Sequence, residues 1–368
     1  MTIKIITRHA VANYGSILQA YATEKIFESL GCECEIINYV RSDEQGKNIS
    51  RTMLKRNRKW NRNFVLRFIY LMLQTPIYNG SYNNFKKFRK HLLTESEREY
   101  SSEKELETLP GADIYCTGSD QVWGQIGNVQ FDENYFLSFV PEGRKCISFA
   151  SSFGKDVVSD ELKSKLPELL SKYSAITVRE KCAKDLLQSI GIEAELMLDP
   201  TLLLTKEDWA KLCTVEIKKS GYVLTYQLHE DKKLEEFAEK FAKKIGKPLI
   251  RISISWLYRF KSGNFVYMPS PEEFLSYFRN CEYVITDSFH ATVFSIIFNK
   301  KFVDVLPQNS GNRITSLLDL LGLSDRILKQ YNDFTTLQQD IDYTSVNKIL
   351  NEEKIRTMES LKKIIFDE

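Results

Sequence analysis

Residues 286–298 read TDSFHATVFSIIF and follow directly on CEYVI (281–285). The run CEYVI is short, β-branched and apolar, as a buried strand requires. Behind it, Val293, Ile296 and Ile297 fall on one face of a helix, and Asp287 and Ser288 are residues that cap helix starts. His290 then lies in the first helical turn, at the carboxyl end of a strand. Free backbone N–H groups and the positive end of the helix dipole gather there, so an anion can be held beside a titratable imidazole. Of four histidines in 368 residues, this one has a site-like context. The other reading is a helix-cap histidine bonded to a backbone carbonyl.

The same alternation extends outward along the chain. TIKIIT (2–7) is a strand, NYGSILQAYATEKIFESLG (13–31) a helix ended by glycine, and CEIINYV (34–40) a strand. ADIYCTG (112–118), CISFASSFG (146–154), SAITVRE (174–180) and AELMLDP (194–200) each put polar or glycine residues after a short apolar run. In open α/β sheets such carboxyl ends line the ligand crevice. A second series starts near Gly221: strand YVLTYQL (222–228), helix DKKLEEFAEKFAKKIG (231–246), strand PLIRISIS (248–255) and helix SPEEFLSYFRN (270–280). The His290 segment and KFVDVLP (301–307) close it. The expected organisation is α/β: a Rossmann-like domain over 1–204, a second over 205–335 carrying His290, and a helical tail over 336–368 that packs back on the first. The two domains are expected to face a shared cleft.

Composition narrows the class. At 42.8 kDa the chain exceeds one ordinary core. Seven cysteines form no CxxC pair, which suits buried thiols in a reducing cytoplasm and neither a disulfide frame nor a zinc site. MTIKIITRHA has no signal-peptide core, and NFVLRFIYLMLQ (63–74) is too short to span a bilayer and carries Arg67. The net charge of +2 hides an asymmetry. From Gln45 to Thr94 there is no acid, but there are twelve cations: Lys47, Arg51, Lys55, Arg56, Arg58, Lys59, Arg62, Arg67, Lys86, Lys87, Arg89 and Lys90. This helical insertion, with Trp60, Phe64, Phe68 and Leu71 at helical spacing, suits peripheral contact with anionic lipid at the inner membrane face. The alternative is a solvated insertion whose stripe packs on the body. No recognition motif supports nucleic acid.

Several segments offer chemistry. NYGS (13–16) sits where a phosphate binds in βα units, without GxGxxG or a P-loop. TGSDQVWG (117–124) presents Ser119, Asp120 and Trp123, either as a sugar-binding or acid/base loop or as an Asx turn with a packed tryptophan. SFASSFG (148–154) offers Ser152 to an oxyanion or a helix cap. Arg179 in VREK (178–181) suits a carboxylate or phosphate, or an ion pair with a neighbouring acid. GxSxG, HExxH and DxD are all absent.

Taken together, NYGSILQAYA, TGSDQVWG, SFASSFG, VREK, LDPTLLL, TDSFHATVFSIIF and RITSLLDLLGL (313–323) resemble the polysaccharide pyruvyl transferases in order and spacing, from about residue 8 to residue 328. The resemblance implies a glycosyltransferase-B-like architecture and no cofactor. It also implies transfer from phosphoenolpyruvate, as co-substrate, to two hydroxyls of a saccharide, often lipid-linked. His290 matches the family's functional histidine and is the expected general acid, with Asp120 a weaker catalytic candidate. The donor is expected on Arg179, Ser288, Phe289 and His290, and the acceptor on Asn13, Tyr14, Ser119, Asp120, Trp123 and Ser152. Some members have Arg-Leu-His where this chain has Ser288-Phe289-His290, so another cation, such as Arg251, Arg259 or Arg313, must serve the donor. Alternatives are a nucleotide-sugar glycosyltransferase on the same architecture and a non-catalytic saccharide-binding module.

Overall fold

The apolar runs form parallel strands, most of them followed by a helix, and in the main sheet of each unit the first strand lies inside the sheet with later strands on both sides. A computed structural model describes the chain except residues 126–130, 156, 214, 218–219, 308–310 and 368, and except the side chains of Lys47 and Leu257. Lys47, counted among the twelve cations, therefore has a side chain outside the described residues. The chain divides into two units, Met1–Pro200 with Lys362–Glu368, and Thr201–Leu361. The division falls at Pro200 where the sequence suggested residue 204. The tail is not one separate piece, since its long helix Tyr343–Phe366 contributes to both units.

The first unit contains β1 (Thr2–Ile6), β2 (Glu33–Ile36), β3 (Ile114–Thr117), β4 (Asp120–Gln121), β5 (Lys145–Ser148), β6 (Ser151–Ser152), β7 (Tyr173–Ala175), β8 (Thr177–Val178) and β9 (Glu195–Leu196). The main sheet has the order β2-β1-β3-β5-β7, and the short strands beyond form a second sheet, β4-β6-β8-β9. The chain leaves β1 through helix α1 (Tyr14–Ser29) to β2, then returns to β3 on the other side of β1. Strand order reverses there, at the position where open α/β sheets hold ligands. Asn13 caps α1 by accepting a hydrogen bond from the Gly15 N–H at 2.8 Å.

The sequence between β2 and β3 forms a hairpin of α2 (Gly46–Arg56) and α3 (Phe64–Leu92). Its base is fixed to the unit. Phe85 is fully buried with its ring 5.1 Å from that of Tyr14, and Arg89 bonds Glu95 and the Ala10 carbonyl. His9 completes that cluster at 3.1 Å from Glu95, and although burial opposes the charge, the His9 and Arg89 partners hold the Glu95 carboxyl down at about 2.

The second unit carries β10 (Val223–Tyr226), β11 (Leu249–Ser253), β12 (Asn264–Tyr267), β13 (Tyr283–Thr286) and β14 (Lys301–Asp304), in the order β12-β11-β10-β13-β14. The edge strand β12 has no counterpart in the sequence reading, because its half-exposed NFVY gives no burial pattern. Helix Lys232–Ile245 is capped by Asp231 and ends at Gly246 in the left-handed region, and Pro271–Asn280 starts with a Ser270/Glu273 capping box. Order reverses between β10 and β13, where the helix Phe289–Ile297 begins. Its strands and helices close over a core of Val223, Phe237, Phe241 and Ile285.

Candidate active site

In the first unit, TGSDQVWG, SFASSFG and VREK converge on one buried network. Gly118 permits close passage past β1, since a Cβ there would meet Thr7 Cβ at 3.1 Å. Gly124 is demanded more strongly, because its Cβ would stand 1.8 Å from the Phe153 carbonyl oxygen. Asp120 has φ of 80°, a conformation that aspartate tolerates better than most residues. Its carboxylate accepts from Ser16 Oγ at 2.6 Å and faces Arg179 at 3.5 Å. Arg179 gives its shortest bond, 2.6 Å, to Asp199, which also accepts from Ser119 Oγ. Glu180 lies 3.6 Å from the Arg179 Nε and accepts from Ser152 Oγ and the Phe153 N–H. Burial opposes the guanidinium charge, yet Asp199, Asp120 and Glu180 together hold it above the ordinary arginine range.

This geometry places five of the expected site residues in buried contacts of the first unit. Arg179 was expected to hold the donor, but its side chain is 1% exposed and committed to the surrounding carboxylates. Trp123 was expected beside a sugar. It is fully buried, stacks on Phe136 at 5.6 Å and donates its Nε1–H to the Tyr135 carbonyl, so the packed-tryptophan reading is the one observed. Tyr14 is buried against Phe85, and Ser152 is spent on Glu180. Ser119 is likewise buried and bonded to Asp199. Asn13 is the α1 cap, half-buried, and Asp120 keeps a small exposed edge.

In the second unit, the focus is Asp287. The sequence suggested a helix cap, but the carboxylate turns to the neighbouring strand end instead. Its oxygens accept from the N–H groups of Leu228 at 2.7 Å and His229 at 2.8 Å, and from His229 Nδ1 at 2.9 Å. The bonds join the ends of β10 and β13 across the point of strand-order reversal. The hydrogen bond to Asp287 raises the His229 imidazole above its usual range, against some burial and the nearby charge of Arg313. Ser288 occupies the N-cap without a side-chain cap bond, and His290, buried, meets the Phe289 ring edge-on at 5.2 Å. A cavity of about 730 Å³ opens here, lined by His229, Asp231, Lys232, Asp287, Leu306 and Tyr331 among others. Beneath it, Thr292 Oγ1 donates to Asp304 at 2.6 Å, and burial pushes the Asp304 carboxyl up to about 8.

The three candidate replacements for the missing arginine separate clearly. Arg251 is buried and bonds the carbonyls of Ser262 and Glu235. Arg259 lies over the Trp256 ring. Arg313 lies 5.7 Å from the Phe289 ring centre and its charge reaches His229. His229 and Asp287 are the pair that sequence reasoning missed. The available signal was the position of His229 just after the strand VLTY, equivalent to that of the other polar strand-end residues.

Across residues 13–309 the sequence matches the family model for polysaccharide pyruvyl transferase. The chain belongs to the polysaccharide pyruvyl transferase family. His290, Asp120 and Arg179 all lie inside the matched span of this transferase. No curated protein matches the chain in sequence. Among solved structures it is similar to UDP-GlcNAc 2-epimerase from Methanocaldococcus jannaschii in complex with UDP-GlcNAc and UDP. That likeness has 15% identity and a TM-score of 0.50 and covers 99% of each chain. It is also similar to the S. aureus MnaA-UDP co-structure, with 10% identity, a TM-score of 0.50, and 98% of this chain and 90% of the other covered. At such identities the likeness concerns the fold alone, which is α/β, Rossmann-like and glycosyltransferase-B-like. Among the described residues, no helix is long and apolar enough to cross a membrane, and no group of three or more His, Cys, Asp or Glu could hold a metal ion.

Proposed function

We propose that this transferase moves the enolpyruvyl carbons of phosphoenolpyruvate onto two hydroxyls of one sugar, giving a cyclic pyruvate ketal and inorganic phosphate. The observation that carries the reading is His290 at the start of an apolar helix, at the strand-order reversal of a chain matching the family over 13–309. The donor bears a carboxylate and a phosphate. The helix N-terminus at Ser288–His290 and Arg313 supply positive potential for both, beside the His229 imidazole that Asp287 raises above its usual range. His290 gives a proton to the enol methylene while one sugar hydroxyl attacks the adjacent carbon and gives up its own proton. The carbon–oxygen bond to phosphate then breaks, and the second hydroxyl closes the ring with loss of another proton. Positive groups favour both the departing phosphate and the retained carboxylate. Asp120, oriented by Ser16, is assigned to an acceptor hydroxyl, and Arg179 to positioning Asp120. A lipid-linked saccharide is the acceptor this reading favours.

Incubating the purified chain with phosphoenolpyruvate and a lipid-linked saccharide is expected to release phosphate and add pyruvyl mass to the acceptor. His290→Gln is expected to lower turnover at least about 100-fold with folding intact. Product formation that requires a nucleotide sugar and ignores phosphoenolpyruvate would overturn the assignment.

A further inference from the structure

The insertion between β2 and β3 is not used by the chemistry above, and its two ends differ. At the base, cations are matched by acids: Arg89 with Glu95 and Lys86 with Glu99. At the tip, Arg51, Lys55, Arg56, Arg58, Lys59, Arg62 and Arg67 are all exposed, in a segment without a single Asp or Glu. The same tip exposes large apolar side chains. Phe64 is 80% exposed, Phe68 and Met72 59% each, and Val65 62%.

The exposure follows from unequal helix lengths. Phe64, Phe68, Met72, Thr75, Asn79 and Tyr82 form one row along α3 at steps of three and four. The partner α2 meets this row at its far part, with Gly46 against Tyr82 and Asn79, and Ser50 bonded to Thr75. Only 11 residues long, α2 ends before the first turns of the 29-residue α3. The linker folds back with Trp60 on Tyr70, leaving Phe64, Val65, Phe68 and Met72 uncovered within an arc of about 100°.

We propose that this hairpin tip is a docking surface for an anionic lipid bilayer. An apolar arc of Phe and Met sinks to the level of the acyl chains while the surrounding arginines and lysines meet lipid phosphates. Charge favours this partner over a second copy, because two such tips carry like charge without an acid on either. The tip lies about 30 Å along α3 from Phe85. Phe85 in turn packs on Tyr14, next to the strand-order reversal of the first unit, so the docking element is fixed to the scaffold of the candidate site.

The test is sedimentation of the full chain with vesicles of phosphatidylglycerol and phosphatidylcholine, against vesicles of phosphatidylcholine alone. Neither donor nor acceptor is present, so the outcome is separate from the assigned reaction. Binding to the anionic vesicles is expected, weakening steeply with salt. The exchange Arg58→Gln with Lys59→Gln should reduce affinity about fivefold per charge removed. Phe64→Glu with Phe68→Glu should lower it at least about tenfold with unchanged circular dichroism and melting, since both side chains are exposed. Equal, salt-independent binding to both vesicles would overturn the proposal. So would no binding to either vesicle, a wild-type dimer in light scattering that the double Phe variant dissolves, or vesicle binding by the double Phe variant equal to that of the wild type.

Discussion

Replacing Asp287 with Asn tests the organisation of the second unit at one atom pair. The carboxylate is 4% exposed and accepts two backbone N–H groups and the His229 imidazole. An asparagine offers one acceptor oxygen, so at least one of these N–H groups would face an amide NH2. Losing one charge-assisted bond and stranding its donor costs about 2–4 kcal/mol. Hydrogen exchange of peptides covering β10 and β13, followed in rising urea, separates this loss from the stability of the first unit. The pH dependence has a definite sign. His229 is raised in the folded state, so stability from its pairing is complete below the ordinary histidine value of about 6.5 and fades as pH rises through the raised value. The deficit of Asp287→Asn should therefore be larger at about pH 6 than at about pH 9. His229 is 59% exposed, so solvent screens the effect and its direction is the readout. Histidine NMR titration gives the second measure, and the His229 midpoint should fall in the variant. An unchanged midpoint together with unchanged exchange would refute the assigned role of Asp287.

Three further substitutions probe other parts of the structure. Asp304 is buried and raised to about 8, so the folded state keeps a proton that the unfolded chain loses near pH 4, and stability declines between those values. Asp304→Asn should remove that decline and gain up to a few kcal/mol on the wild type by pH 8, measured as urea midpoints at several pH values; parallel curves would contradict it. Gly124→Ala places a methyl 1.8 Å from the Phe153 oxygen and should lower the melting midpoint sharply, whereas Gly111→Ala, with nothing within 4 Å, should leave it nearly unchanged. Arg179→Met strands buried Asp199, Asp120 and Glu180 without their shared cation and should destabilise the first unit by about 3–5 kcal/mol in urea unfolding; Arg179→Lys, a point charge that cannot span Asp199 and Asp120, should lie between the two.

Much of the fold was readable in the sequence because parallel strands buried on both faces are continuous apolar runs, as in TIKII and YVIT. Their helices carried caps and glycine stops in the expected places, including Asp231 and Gly246. Strand β12 was not readable, since a half-exposed edge strand has no such pattern. The candidate site was readable only in part. His290 stands at a strand end and helix start that local sequence specifies by itself. Trp123 and Arg179 were misjudged because a residue type states what a side chain can do and says nothing of whether it is buried.

By itself, the sequence determined the order of the buried strands and their helices, the family and the histidine at the helix start. These depend on local propensity, hydrophobic period and motif order, which neighbouring residues carry. Only the tertiary structure decided which carboxylate meets which cation. Asp287 joins His229 across 58 residues, and Asp199 joins Arg179 across 20, because strand order brings those chain ends together. The same applies to the hairpin, whose cations are visible in the sequence but whose uncovered apolar row exists because α2 ends short of the tip of α3.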